Sequence, residues 1–209
     1  NISFIPYLSG EIVSPQKNIA NHNLNPGADV KLNLSSSLNL DITLNPDFSQ
    51  AEVDQQVTNL DRFELFFPER RQFFLENADI FANFGYDNIR PFFSRRIGLN
   101  NPIIGGIRIS GNIDEKWRIG LLDIQTQEDS KNKFAAENFG VFSLQRKVLD
   151  RSSIGMIFVN KQLLGGLENP NDNYSDYNRN FGLEYNYFSA DNVWNGKLMY
   201  LKSFSPGVQ

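Results

Sequence analysis

Residues 38–45 alternate strictly. Leu38, Leu40, Ile42 and Leu44 are apolar, and Asn39, Asp41, Thr43 and Asn45 between them are polar. A two-residue period sends successive side chains to opposite faces of a β-strand. Residues 28–34 repeat it, with Ala28, Val30, Leu32 and Leu34 set against Asp29, Lys31 and Asn33. Only Ser35, Ser36 and Ser37 lie between the two runs, which predicts a tight hairpin. Downstream, Ile107, Ile109, Gly111 and Ile113 alternate with Arg108, Ser110 and Asn112. Trp117, Ile119 and Leu121 follow after a short turn, and Phe181, Leu183, Tyr185 and Tyr187 alternate with Gly182, Glu184 and Asn186. With weaker runs at 2–12, 138–149, 153–163 and 193–203, nine long strands are expected.

The connections between these strands alternate in length. Residues 35–37, 113–116, 149–152 and 189–192 are short, whereas 14–26, 127–136 and 164–179 are longer and polar. Sorting loops by length onto two sides is characteristic of outer-membrane barrels. Aromatics near strand ends (Tyr7, Trp117, Tyr187, Trp194, Tyr200) fit an interfacial girdle. The expected fold is all-β: an antiparallel up-and-down transmembrane β-barrel in a Gram-negative outer membrane, in contact with its lipid. A soluble β-barrel or sandwich is the alternative.

Strand parity constrains residues 46–101. With the short turns periplasmic, strand 38–45 rises to the outer side and strand 102–112 descends from it. The insertion therefore leaves and returns on one side, and it reads as a lumenal plug or cap. IRPFFSRRIG (89–98) resembles a strand but by this count packs within or above the barrel. The same parity places the N-terminus in the periplasm. Nine is odd and bacterial barrels normally use an even number, so the sheet is expected to continue past residue 209. Residues 1–209 would then form the N-terminal part of one barrel domain, from a mature protein or a fragment.

Residues 45–98 hold 10 of the 18 Phe, nine acidic residues and six Arg, but no Lys. Pro68 suits the first position of a helix, and Phe74, Ala78 and Phe81 share a helical face. A short amphipathic helix is predicted over 68–82. Phe66, Phe67, Phe73, Phe74, Phe81, Phe92 and Phe93 are the expected aromatic core of the plug, with a hydrophobic ligand site as the alternative. Asp47, Glu52, Asp54, Glu64, Glu69 and Glu76 face Arg62, Arg70, Arg71, Arg95 and Arg96, with Asp61, Asp79 and Arg90 beside them. Arginine used without lysine points to bidentate carboxylate pairs. These residues read as an ion-pair network tying plug to wall, as a site for an anionic ligand, or as divalent-metal ligands, though no ligand spacing supports the last.

Composition narrows the chemistry. The formal net charge of −4 makes no electrostatic case for nucleic acid. There is no Cys, so disulfides and thiolate metal sites are excluded. The 26 Asn suit turns and wet strand faces. No apolar run approaches 18 residues, so no transmembrane helix is expected. The single His, His22, lies in a polar stretch, so Ser-His-Asp and Cys-His mechanisms are not expected. Paired carboxylates can run glycoside hydrolysis, but acids set among Arg have lowered pKa values that spoil a general acid. Loop 164–179 offers oxygen ligands at Asn169, Asn171, Asn173 and Asp176, but Tyr174 and Asn180 stand where a calcium loop needs Gly and Glu. No catalytic residue, metal or cofactor is expected.

The segment NPDFSQAEVDQQVTNLDRFELFFPERRQFFLEN, followed by PFFSRRIG, resembles a family of outer-membrane barrels from Bacteroidota that is named only as a domain of unknown function. Asn45–Phe48, Glu52–Gln55, Arg62–Asn77 and Pro91–Gly98 carry the resemblance, and similar strand-and-turn texture extends it over residues 1–209. It implies a barrel that usually follows a module resembling carbohydrate-binding module family 9. A glycan ligand would be held by that module, which is absent from these residues. The expected function is a non-enzymatic plugged channel for a solute, glycan-derived in one version. The alternatives are a structural subunit of a larger outer-membrane complex and, last, a carbohydrate-processing hydrolase.

Overall fold

The alternation does fold into nine antiparallel strands. The structure is a computed structural model and describes residues 2–13, 21–46, 68–99, 101–130, 134–164 and 176–206. The strands are β1 (Ile2–Val13), β2 (Asn21–Asn33), β3 (Leu38–Leu44), β4 (Ile103–Asn112), β5 (Trp117–Thr126), β6 (Ala136–Val148), β7 (Ser152–Leu164), β8 (Tyr177–Phe188) and β9 (Asn195–Phe204). Each pairs with the next in sequence, giving one up-and-down sheet ordered β1 to β9. The sheet is open, because β1 and β9 do not pair with each other. The connections β2–β3, β4–β5, β6–β7 and β8–β9 are short and share one end of the sheet, and the long ones share the other.

Register places two unlike faces on the sheet. On one face Lys31, Asp41 and Arg108 are consecutive partners across β2, β3 and β4. On the other, Leu121, Phe142, Phe158 and Phe181 are consecutive partners across β5 to β8. The described part of the insertion between β3 and β4 packs on the first face. Its described part contains two single-turn helices, α1 (Gln72–Leu75) and α2 (Asp79–Ala82), and a 3₁₀ turn at Ser94–Arg96. The buried core lies between them and the sheet: Phe73, Phe74, Ile80, Phe81, Phe84, Phe92 and Ile97 meet Leu122, Ile124, Val141, Ile157 and Val159.

Two sequence expectations are corrected here. The predicted helix over 68–82 is broken, because Glu76 is extended and Asn77 takes a positive φ of 49°. Asn is among the few residues that adopt that conformation at low cost. The first helical turn begins at Gln72, not at Pro68. Residues 89–98 are not a strand: they form the 3₁₀ turn and irregular chain, apart from a single bridge between Tyr86 and Ile89.

The insertion fits because the covered face has gaps. A Cβ on Gly120 would lie 2.7 Å from Ile80 Cγ2 and from the Phe81 ring. A Cβ on Gly182 would lie 2.6 Å from the Phe84 ring. The segment Glu76–Gly85 reaches β2 through Lys31 and β9 through Lys197.

Replacing Gly120 with Val should destabilise the fold by about 1–3 kcal/mol, since the added atoms overpack Ile80 and Phe81. Gly140→Ala is the control, because a Cβ there meets only Asp123 Oδ2 at 3.8 Å. Urea unfolding compares the two, and equal stabilities would contradict this account of docking.

Candidate functional site

The seam between insertion and sheet holds most of the buried charge. Arg108 is 1% exposed and donates from Nε and Nη2 to Asp41 Oδ2, at 3.2 and 2.7 Å. Lys31 Nζ lies 3.5 Å from Asp41 Oδ1, within ion-pair range, but makes its hydrogen bond to Glu76 Oε2 at 2.9 Å. Asn39 Nδ2 also donates to the Glu76 carboxylate. Glu76 leaves the helical path between α1 and α2 to make these bonds, so the helix break and the clasp are one event. Two carboxylates and two cations close the cluster at zero net charge, which offsets the desolvation that a lone buried charge would suffer. The Lys31 bond, helped by Asn39 and Arg108, holds the Glu76 carboxyl below the ordinary glutamate range against the effect of burial.

Three further contacts fasten α2 and the chain just before it. Arg118 on β5 donates to Asp79 Oδ2 at 2.7 Å, and Ser143 on β6 donates its hydroxyl to the Ile80 carbonyl at 2.8 Å. Asn77 Nδ2 reaches Ser110 Oγ at 3.2 Å. Beyond α2, Gly85 adopts φ +94°, a conformation that suits glycine. Its N–H donates to Glu184 Oε2 and its carbonyl accepts from Lys197 Nζ, at 3.0 and 2.6 Å. Lys197 and Glu184 are themselves paired at 3.2 Å.

The arginines of the insertion serve mainly to shape the insertion. Arg71 makes a two-pronged pair with Glu69, from Nε at 2.9 Å and Nη2 at 2.8 Å. It also donates to the Ile97 and Ser94 carbonyls, and its guanidinium lies 4.2 Å from the Phe74 ring centre. Ser94 Oγ donates to Glu69 at 2.6 Å. Burial works to raise the Glu69 carboxyl, but the bonds from Arg71 and Ser94 outweigh it and hold the group below the ordinary range. Arg95 donates to the Pro68 carbonyl at 3.0 Å. Arg70 lines one small cavity with Glu69 and Arg71, and Arg96 lines another with Glu137, Phe139 and Lys161. Among the described contacts, the ion pairs between insertion and sheet thus use acids of the insertion, Glu76 and Asp79, and bases of the strands.

Of the expected aromatics, Phe73, Phe74, Phe81 and Phe92 are buried together, and Phe93 is half-buried. Phe84 joins them over Gly182. Asp47, Glu52, Asp54, Arg62, Glu64, Phe66 and Phe67 lie outside the described residues. A cavity of about 400 Å³ opens at the seam. Phe74, Ala78 and Phe81, the stripe seen at helical spacing, all line it, with Phe92, Arg108 and Leu122. Among the described residues, no three or more acidic or His side chains are grouped to hold a metal ion.

The segment that makes these contacts also carries the family likeness. A family model described as a domain of unknown function (DUF5916) matches residues 1–105. The chain belongs to that family. The match spans β1 to β3, the insertion and the first residues of β4, rather than all 209 residues. It takes in Lys31, Asp41 and Glu76 and stops short of Arg108. It indicates no catalytic family. No curated protein and no solved structure matches the chain.

Sequence pattern did not single out Lys31, Asp41, Arg108, Arg118, Glu184 or Lys197 as partners of the insertion. A signal was present: the first three occupy polar positions of strict alternations, and the three-serine hairpin sets Lys31 opposite Asp41. The insertion acid that joins them could not be chosen from the sequence, because nine acids lie within the same 54 residues.

Glu69 and Glu76 have folded pKa values below their unfolded ones. Their contribution is therefore present above the ordinary Glu value, about 4.3, and lost as the pH falls through the lower folded value. Limited proteolysis between roughly pH 3 and 6 should show cleavage within 68–99 rising at the acid end. Glu76→Gln should cost about 1 kcal/mol of docking at neutral pH and flatten that dependence. An unaltered profile would show that the clasp does not hold the insertion.

Proposed function

We propose that this chain forms part of an outer-membrane β-barrel whose insertion occupies the lumen as a plug, and that it serves as a plugged channel for a solute. The observation that carries the reading is the apolar face that the sheet leaves uncovered. The face covered by the insertion is mixed: beside the core residues it bears Asp41, Arg108, Ser110, Ser143 and Glu184. The opposite face leaves large apolar side chains uncovered, among them Ile107, Leu121, Phe158, Leu183, Leu198 (73% exposed) and Tyr200 (56% exposed). Uncovered in water, such a surface is an association hazard; against hydrocarbon it is the expected outer wall of a barrel.

The charged residues on that face lie off its centre. Trp117 is paired with Arg146 at the short-turn end, and Asp123, Arg179 and Lys202, the last paired with Phe181, lie toward the long-loop end. Charges near strand ends sit at headgroup depth, where they cost little. Trp194 is 72% exposed in the short connection before β9, where an interfacial aromatic is expected. Among the described residues no helix is long and apolar enough to cross a membrane, a fact without bearing on strands.

A second reading, a structural subunit without conduction, is favoured by the fastening of the insertion. Glu76 ties it to β2 and β3, and Gly85 ties it to β8 and β9. An element held at both ends is suited to bracing as well as to gating.

Planar-bilayer recordings of the wild type and of a deletion of residues 46–88 discriminate between the readings. The plugged channel predicts steady current only after the deletion. If the deletion yields no current and only lowers the temperature of heat-modifiability on gels, the insertion is a brace.

A further inference from the structure

Resting on the barrel reading, we infer that lipid covers the outward face along a diagonal band. The strands cross the hydrocarbon tilted by about 45°, and the long-loop ends of β5 to β9 stand clear of it. The barrel reading names lipid as the partner; strand register adds which part of each strand it touches.

The outward face can be followed row by row. One row runs from Ile2 on β1 to Phe181 on β8, apolar at every strand, and ends at Lys202 on β9. The next row toward the long loops is apolar only from Phe4 on β1 to Ile107 on β4. On β5 to β8 it holds Asp123, Gly140, Asn160 and Arg179. The apolar run continues on β3 to Leu44, and on β2 to Leu24, which is 71% exposed. On β9 it stops at Tyr200, short of the first row. Among the described residues of β5 to β9, Leu164 and Phe204 are the exposed large apolar side chains beyond this border, and the Phe204 ring lies 5.2 Å from Lys202 Nζ.

The border falls from β2 to β9. Leu24 lies eight residues beyond the first row along β2, and Tyr200 two residues short of it along β9, a fall of ten residues. At the rise of an antiparallel strand that is about 34 Å. Seven strand spacings separate β2 from β9, and measured along the sheet they also come to about 34 Å. Equal lengths along and across the strands make a diagonal of about 45°, and closing a sheet into a barrel tilts its strands by roughly 35–45°. A membrane surface drawn level across strands so tilted is diagonal in register. The short turns step the same way: β3 starts two residues to the short-turn side of the first row, at Leu38, and β7 starts six residues to that side, at Ser152.

The residues beyond the border bond to one another. Arg179 Nε donates to Asn160 Oδ1 at 2.9 Å, and Asn138 Nδ2 donates to Asp123 Oδ1 at 3.2 Å. Charged groups on a barrel's outer wall are costly at the bilayer midplane and cheap near its surface. A soluble partner laid over the face has no reason to follow strand tilt.

Ala28 on β2 and Gln162 on β7 share one row, so an untilted sheet holds them at one depth. A 45° tilt over five strand spacings separates them by about 17 Å. The chain has no Cys, so a single fluorophore can be attached in Ala28→Cys, in Gln162→Cys and, as a reference inside the border on β7, in Ile154→Cys. The full chain is then reconstituted in phosphatidylcholine vesicles that carry a spin label on the acyl chains. The label should quench Ala28→Cys and Ile154→Cys, and Gln162→Cys at most about a third as much, while iodide in the water should quench Gln162→Cys alone. Equal acyl-chain quenching of Ala28→Cys and Gln162→Cys overturns the diagonal and leaves the lipid-facing wall standing. No acyl-chain quenching at any of the three positions overturns the wall and the diagonal together.

Discussion

Everything in this molecule depends on one steric relation: two insertion elements sit where the sheet lacks side chains. Ile80 and Phe81 occupy the space above Gly120, and Phe84 occupies the space above Gly182. Dispersion forces reward such contact only at close range, so the glycines convert a loose overlay into a packed core. That core lies between a strand wall and an insertion rather than between two sheets.

The polar contacts build on that packing and select its orientation. Lys31, Asp41 and Arg108 form a row of alternating charge across three strands, and Glu76 caps the row from the insertion. At the far side, Glu184 and Lys197 grip the two polar backbone groups of Gly85. Each buried charge has its opposite beside it, so a shifted insertion would leave several charges uncompensated at once, a cost far above that of losing one surface pair. Opening the seam would disrupt a closed electrostatic cluster and a tightly packed aromatic ridge together.

The strands were legible because two-residue alternation is local. Leu38–Leu44 and Ile107–Ile113 declare their faces without reference to the rest of the chain, and the serine hairpin fixes their neighbours' register. The Phe74–Ala78–Phe81 stripe was legible for the same reason and does converge on one cavity. The helix expected across 68–82 was not correctly legible. Its pattern is helical, but Asn77 and Glu76 are drawn out of it by partners on β2, β3 and β4, and a tertiary bond outweighs a weak local preference. The arginines were recognised as pairing residues, yet Arg71 serves Glu69 and two carbonyls inside the insertion.

By itself, then, the sequence determined the all-β meander, the long and short ends of the sheet, and a dense aromatic and charged insertion between β3 and β4. These follow from period, turn chemistry and composition, which act over a few residues. Only the tertiary structure decided that Glu76 rather than another acid joins the Lys31–Asp41–Arg108 row, and that glycines receive Ile80, Phe81 and Phe84. Those outcomes depend on distances between segments far apart in the chain. Such distances are set by the closest packing that all the segments can reach together, not by any one stretch of residues.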